Sequence, residues 1–381
     1  MMPPNRQPIV LQLIPELETG GAERGCVDMA AAIQAAGGRA LVVSAGGKMV
    51  PEIEAAGAAH FVWPQIKSKN PFKIFASAWK LKALIRAENV QVIHARSRAP
   101  AWAGWLAARW TGRPFMTTFH STYNFKSAPK RFYNSVMTRG RRVIAISDFI
   151  RQHVLKHYSN VDAKDVRLIH RGIDVAKFDP AAVSADRVAA LKAKWGVPAD
   201  KQIILLPGRL TRWKGQLVLI KAIAQLAPDR CVAVMVGSDQ GRDGYRESLE
   251  QQVIKRRIQA RVFMPGDCSD MPAAYAAADI VVSASIEPEA FGRVIVEAQA
   301  MGKPVVVSDL GAVAETAGAT GFGWIVPPGD DEALAAAVRQ IWALPPEEHA
   351  RRAAAARQYI LQHYTKEKMC ADTLAVYREL I

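Results

Sequence analysis

The sequence predicts an α/β protein of two doubly wound, parallel-sheet domains, and three observations lead there. Short apolar runs of four to six residues alternate with helical segments along the whole chain, the pattern of parallel strands covered by helices. The 381 residues exceed what one hydrophobic core usually organises. Residues 171–201, where Pro180 and Pro198 bracket a short helix, read as a joint between the halves.

In order, the first half offers strands at 9–14, 40–44, 90–94, 115–119, 143–147 and 166–170. The second offers them at 203–206, 232–237, 280–283, 304–308 and 323–326. The expected division is 1–178 for the first domain and 179–363 for the second, with 364–381 a closing helix. No strand follows that helix, so it is expected to cross back onto the first domain. Two such domains are expected to face each other across a cleft, because ligands of doubly wound sheets bind beyond the carboxyl ends of the strands.

Half of the residues are hydrophobic and 22% are charged, a composition that folds into a soluble body. Cys26, Cys231, Cys268 and Cys370 are far apart and form no CxxC pair, which argues against a disulfide framework or a zinc site and suits a reducing cytoplasm. The polar, Pro-rich start (1–7) and the short apolar run after it do not make a signal peptide or a membrane span. Charge is unevenly placed. Residues 1–178 hold 26 Lys+Arg against 11 Asp+Glu, and residues 179–381 hold 24 of each, so the whole net charge of +15 belongs to the first half. Between Lys67 and Arg142 there are 16 basic residues and one acid, Glu88. That density implies an anionic partner: nucleic acid, acidic lipid or a phosphorylated glycan.

Four strand-end motifs carry chemistry. Gly20-Gly21 follows the first strand and precedes a helix; two glycines there let backbone approach a phosphate or sugar, or simply make a tight turn. The acid that an NAD site needs about twenty residues on is missing from Val42-Val43-Ser44-Ala45-Gly46-Gly47. Arg209 and Lys214 share the turn after the first strand of the second half, where a guanidinium fork and an ammonium can hold a diphosphate and neutralise it as it leaves; the plain alternative is two surface cations. His120 ends the strand Phe115–Phe119, where a neutral imidazole can bond a sugar hydroxyl or move a proton, although a lone His is as readily structural. His94, His170 and Arg171 stand at similar strand ends.

Glu289 and Glu297 frame the fourth motif, Glu289-Ala290-Phe291-Gly292-Arg293-Val294-Ile295-Val296-Glu297. Eight steps at ~1.5 Å rise span ~12 Å, about the distance between the sugar and ribose ends of a nucleotide sugar. A helix N-terminus near Gly292 suits the diphosphate between them. The alternative is a helix-start acid that complements the dipole, followed by an exposed acid. Glu287 competes with Glu289, but only Glu289 has the spacing to Glu297. No Asp-x-Asp pair occurs, so the simplest carboxylate site for a metal-bridged diphosphate is absent and no metal is expected.

In this order and spacing the motifs resemble a family 4 glycosyltransferase of the GT-B fold, in which two Rossmann-like domains enclose a nucleotide-sugar donor. The resemblance runs through Gly20 to Glu23, His120, Val143 to Ser147, Arg171-Gly172-Ile173-Asp174, Gly208-Arg209, Lys214-Gly215, the acid pair and Gly302-Lys303-Pro304-Val305-Val306. It implies that Arg209 and Lys214 bind the diphosphate, that Glu297 holds the ribose and Glu289 the donor sugar, and that Phe291 and Gly292 offer backbone N–H groups. It further implies that Gly20 and Gly21 approach the phosphate and that His120 contacts the transferred sugar. The anomeric configuration would be retained by front-face attack, with the leaving phosphate taking the acceptor proton. The donor, a UDP-, GDP- or ADP-sugar, is a substrate, and no cofactor is expected.

The acceptor side is read from residues 72–86. Ile74, Ala78, Leu81 and Ile85 form one helical face, and Phe72, Phe75 and Trp79 lie nearly opposite beside Lys82 and Arg86. That second stripe fits either an interfacial membrane helix or packing against Trp102, Trp105 and Trp110. With the basic segment Lys126, Lys130, Arg131, Arg139, Arg141 and Arg142, it suggests a first domain resting on the anionic inner face of the cytoplasmic membrane. The expected acceptor is a lipid-linked or envelope glycan, such as lipopolysaccharide core. Two other readings stand beside it: a basic nucleic-acid-binding protein, which lacks any helix-turn-helix, zinc or RNP-like signature, and a GT-B-fold nucleotide-sugar epimerase or phosphorylase.

Overall fold

A computed structural model describes residues 7–123, 127–239, 241 and 243–381. Lys126 and residues 1–6 therefore lie outside the described residues. The chain forms two compact units, one running to Gly172 and resuming at Lys366–Ile381, the other Ile173–Thr365. The exchange falls inside the expected joint, a few residues before the expected division at 178. Ile173 donates its N–H to the Tyr364 carbonyl at 2.8 Å and bridges to Thr365, which ties 173–178 to the second unit.

The first unit holds seven parallel strands, β1 (Ile9–Leu13), β2 (Arg39–Ser44), β3 (Ala59–Val62), β4 (Val92–Ala95), β5 (Phe115–Phe119), β6 (Arg142–Ala145) and β7 (Val166–Leu168), in the order β3-β2-β1-β4-β5-β6-β7. β1, with its neighbours β2 and β4, is a Val/Ile/Leu-rich run buried on both faces, as parallel strands under helices require. The closing helix Lys366–Leu380 packs Leu374, Val376, Tyr377 and Leu380 into this unit's core with Val10, Met29 and Ile33.

The second unit has six parallel strands, β8 (Gln202–Pro207), β9 (Cys231–Val236), β10 (Val262–Gly266), β11 (Ile280–Ser283), β12 (Val305–Ser308) and β13 (Gly323–Val326), ordered β10-β9-β8-β11-β12-β13. Its core joins Ile204, Leu206, Val282 and Val306 to Leu219, Ile220 and Ile223 of the helix Gln216–Ala224.

Both sheets reverse their winding once, between β1 and β4 and between β8 and β11. The crevice beyond the carboxyl ends at such a reversal is where doubly wound sheets take ligands. β3 and β10 were not expected. Both are edge strands, mostly half-buried, and β10 carries Pro265 and Gly266, so neither presents an apolar run.

Candidate functional site

In the second unit the loop after β8 and the loop after β11 meet at the reversal point. Gly215 makes this possible. It sits at φ +75°, and a Cβ there would come within 1.8 Å of the Ala284 carbonyl oxygen. The same contact is laced by the Ile286 N–H, which donates to the Trp213 carbonyl at 2.8 Å. This close seating puts Lys214 on Glu289: Nζ to Oε1 is 2.8 Å, with the side chains only 14% and 11% exposed. Ser283, at the end of β11, donates to the same Oε1 at 3.3 Å, and Ser285 donates to it as well. Three donors on one oxygen fix the carboxylate's orientation. Oε2 is left without a hydrogen-bond partner among the described residues, open to the hydroxyl of a ligand. Glu287, by contrast, is exposed.

Gly292 caps the helix Arg293–Ala300 in the left-handed conformation, φ 77° and ψ 56°, and the helix has no side-chain cap. A Cβ on Gly292 would press to 2.5 Å from Val313. Phe291 turns its ring inward onto Tyr364, 5.9 Å between centroids. Glu297 lies on the second turn and is buried rather than exposed. Arg293 donates to its Oε1 at 3.2 and 2.8 Å, and the Tyr275 hydroxyl donates to Oε2 at 2.9 Å. A carboxylate accepts about four hydrogen bonds, so these leave capacity for a diol. Arg209 is exposed in the β8 loop, and its carbonyl accepts from the buried Gln216 side chain at 2.9 Å.

In the first unit Gly20 is the N-cap of the helix Gly21–Ala35, again with no side-chain cap. His120 follows β5. Its Nδ1 accepts from Arg171 at 2.8 Å, which fixes the proton on Nε2. Burial, aided by the Arg171, Arg96 and His94 charges and dipoles, holds its pKa well below the ordinary histidine value, so the ring is neutral. His94 is enclosed, bonded to the Tyr377 hydroxyl and Thr118 Oγ1 at 2.7 Å each. Gly21, His120 and Arg171 line one pocket with Arg96.

Reading the sequence alone missed Ser283, Ser285 and Tyr275 as supports of the two acids, and it missed Arg96 altogether. Ser283 ends β11 and Ser285 stands in the loop before Glu289, so both were open to notice; Tyr275 lies 22 residues before Glu297 and gives no local signal.

Two doubly wound sheets, each with polar groups gathered at its winding reversal, define the GT-B class of glycosyltransferase. The chain matches the family model described as Glycosyltransferase Family 4 over residues 19–177 and the model described as Glycosyl transferases group 1 over residues 188–359. A glycosyltransferase from Rickettsia africae ESF-5 is 35% identical, with 99% of each chain covered and a TM-score of 0.92. Anabaena HepE, solved in complex with UDP and glucose, is 27% identical over 98% of this chain and 100% of that one, with a TM-score of 0.83. The D-inositol 3-phosphate glycosyltransferase of Corynebacterium glutamicum (strain R) is 28% identical over 279 residues, 67% of this chain and 66% of the relative. That of Xylanimonas cellulosilytica is 30% identical over 238 residues, 58% and 56%. The chain thus spans about two thirds or less of these two curated relatives. It belongs to the family 4 glycosyltransferases of GT-B fold and is a transferase. Among the described residues, no helix is long and apolar enough to cross a membrane.

Proposed function

We propose that the chain moves a hexose-type sugar from a nucleotide-sugar donor, a UDP-sugar in the first instance, to a lipid-linked or envelope-glycan acceptor, with retention of anomeric configuration. The observation that carries the donor half is the Lys214–Glu289 pair at the β8/β11 reversal, with one carboxylate oxygen locked and the other open. Lys214 and Arg209 neutralise the diphosphate as the C1–O bond to it breaks, Glu289 Oε2 accepts from donor-sugar hydroxyls, and Glu297 accepts from the ribose diol. Phe291 and Gly292 give backbone N–H groups. From the first unit, Gly20 and Gly21 approach the phosphate and the neutral His120 donates to the transferred sugar. The acceptor oxygen bonds C1 on the face the phosphate leaves, and its proton passes to a phosphate oxygen. With no Asp-x-Asp pair in the sequence, charge neutralisation is assigned to the two cations rather than to a divalent ion, and no cofactor is invoked. HepE, solved with UDP-glucose at 25% identity, supports a uridine donor.

The acceptor reading, with lipopolysaccharide core as one case, rests on the surface of the first unit. On the helix Pro71–Ala87, Phe72 is 86% and Trp79 61% exposed. Phe75 and Trp79 do touch Trp110, 5.3 and 6.1 Å between centroids, yet both stay more than half in solvent. Lys82 lies 4.6 Å over the Trp79 ring. Aromatic side chains edged by lysines suit the headgroup layer of an anionic leaflet. This would put the protein in the cytoplasm, peripheral to the membrane's inner face.

Thermal-shift screening of UDP-, GDP-, ADP- and CMP-sugars tests the donor, with UDP-sugars expected to stabilise most. Glu289→Ala and Lys214→Ala should each abolish transfer, and retained activity in both refutes the site. Absence of flotation with anionic liposomes at low salt refutes the membrane part.

A further inference from the structure

A small, partly open pocket lies at the carboxyl ends of β4 and β5, and no acidic residue lines it. Arg96 and His120 bring donors to it. Arg96, which follows β4, is 6% exposed. Its Nε and one terminal nitrogen donate to Gln12 Oε1 at 2.9 and 2.7 Å. Gln12 is itself fully buried on β1 and donates to the Cys26 carbonyl at 3.1 Å. An amide oxygen carries no net charge, and among the described residues no carboxylate stands within ion-pair distance of Arg96. A desolvated guanidinium without a counter-charge is costly to fold. Beside it, His120 has its proton fixed on Nε2 by the Arg171 bond, and that buried Nε2 has no hydrogen-bond partner. Buried donors are nearly always satisfied, so an orphan one aimed into a pocket asks for an acceptor. The helix Gly21–Ala35 starts at the same place without a side-chain cap, and its first turn carries Glu23, whose carboxylate folds back against Gly20.

We propose that this pocket binds an oxyanionic group of a substrate, a phosphate monoester or a carboxylate, read by Arg96 and the His120 Nε2–H. The proposal rests on the glycosyltransferase reading for which molecule carries the group: a phosphorylated acceptor, or a donor sugar bearing a carboxylate. In either case Arg96 is a specificity-determining residue, admitting an acidic substrate and leaving a neutral analogue facing an unpaired buried charge.

The test uses the full chain, ¹⁵N-labelled, with the imidazole resonances followed while saturating UDP occupies the donor site. Titration with inorganic phosphate is expected to shift the His120 Nε2 resonance saturably. In Arg96→Met the apparent phosphate affinity should fall by about tenfold or more, the scale of one charge-assisted hydrogen bond. Parallel arms distinguish the sources. A His120 shift with glucose 6-phosphate but not glucose supports the acceptor, and a shift of the Arg96 Nε resonance with UDP-glucuronic acid in place of UDP, but not with UDP-glucose, supports the donor. A wild-type His120 resonance that phosphate leaves unmoved while UDP is bound overturns the site, and this titration decides even if Arg96→Met does not fold. Unchanged phosphate affinity in a folded Arg96→Met overturns it too. If UDP itself does not bind, the donor reading fails while the phosphate titration still reports on the pocket.

Discussion

Lys214 Nζ stands 2.8 Å from Glu289 Oε1, and the two side chains are 14% and 11% exposed. A nearly buried ion pair at a binding crevice is a compromise. Each charge is held by the other until a ligand's own charges arrive, and removing one partner strands the second. Lys214→Met is therefore expected to lower stability by about 2–3 kcal/mol, less than a fully buried pair because Ser283 and Ser285 still donate to Glu289. It should also lower kcat by about 10²–10³. Combined with Glu289→Gln, much of the stability should return while activity does not. Urea unfolding of the four members of the cycle, with initial rates, checks both halves; additive stability losses would show that the pair is not coupled.

The loop contact that seats this pair depends on Gly215, and Gly196 supplies the control. Both have positive φ, +75° and +69°, but a Cβ on Gly215 meets the Ala284 carbonyl whereas one on Gly196 meets nothing within 4 Å. Gly196→Ala should cost about 1 kcal/mol, the backbone penalty alone. Gly215→Ala should cost about 3 kcal/mol or more, since overpacking adds to it, and should also raise KM for the donor. Equal costs in denaturant titrations would show that the two loops yield to each other.

Tyr275 and Glu297 give a test of ribose recognition. The fully buried Tyr275 donates to Glu297 Oε2 at 2.9 Å, and Arg293 secures the other oxygen. Tyr275→Phe removes one charge-assisted bond without changing the packing. The expected result is a rise of about 3–10-fold in donor KM with kcat little altered, because the contact orients a binding group remote from C1. A fall in kcat with unchanged KM would contradict that assignment.

Two histidines, the buried His94 and the half-buried His120, set a pH limit on the first unit. Burial first, and then neighbouring Arg96, hold His94 well below the usual value; burial with Arg171 and Arg96 does the same for His120. As pH falls below about 6.5 the unfolded chain takes up protons on both, and the folded chain does not. Their contribution to stability is thus complete above that pH and declines below it, by up to about 1.4 kcal/mol per pH unit for each. His120→Gln should lessen the slope of unfolding free energy between pH 6.5 and 5 by about one proton's worth, and an unaltered slope would mean that His120 titrates alike in both states.

What could be read from the sequence divides by locality. Strands such as β11, Ile280–Ser283, announce themselves because burial on both faces demands an unbroken apolar run. The spacing of Glu289, Gly292 and Glu297 was readable for the same reason, since one turn and one helix carry all three. The edge strands β3 and β10 lacked that signal, being half-wet. Tyr275 on Glu297 and Gln12 on Arg96 were hidden because each pair is made by the sheet's winding, across 22 and 84 residues. Apart from Arg96, the missed residues are supports rather than groups that meet a ligand, and supports are recruited from wherever the fold brings them.

The exposed aromatic face of the helix Pro71–Ala87 is the last point of test. Ser77, Ala78, Leu81 and Ile85 anchor the helix inward, and Asn70 caps it, its side chain accepting from the Phe72 N–H at 2.9 Å. Phe72 and Trp79 are therefore not needed to hold the helix in place. Replacing both with Glu should change unfolding stability by no more than about 1 kcal/mol. On vesicles rich in anionic lipid the same change removes two interfacial aromatics and sets two acids among Lys73, Lys80 and Lys82, so partitioning should fall by about tenfold or more. Raising salt should weaken the wild type in the same direction, because part of the attraction is screened. Flotation assays alongside transfer to a water-soluble acceptor separate the outcomes. Lost binding with intact transfer supports a docking face, whereas unchanged binding would mean that these aromatics serve another surface.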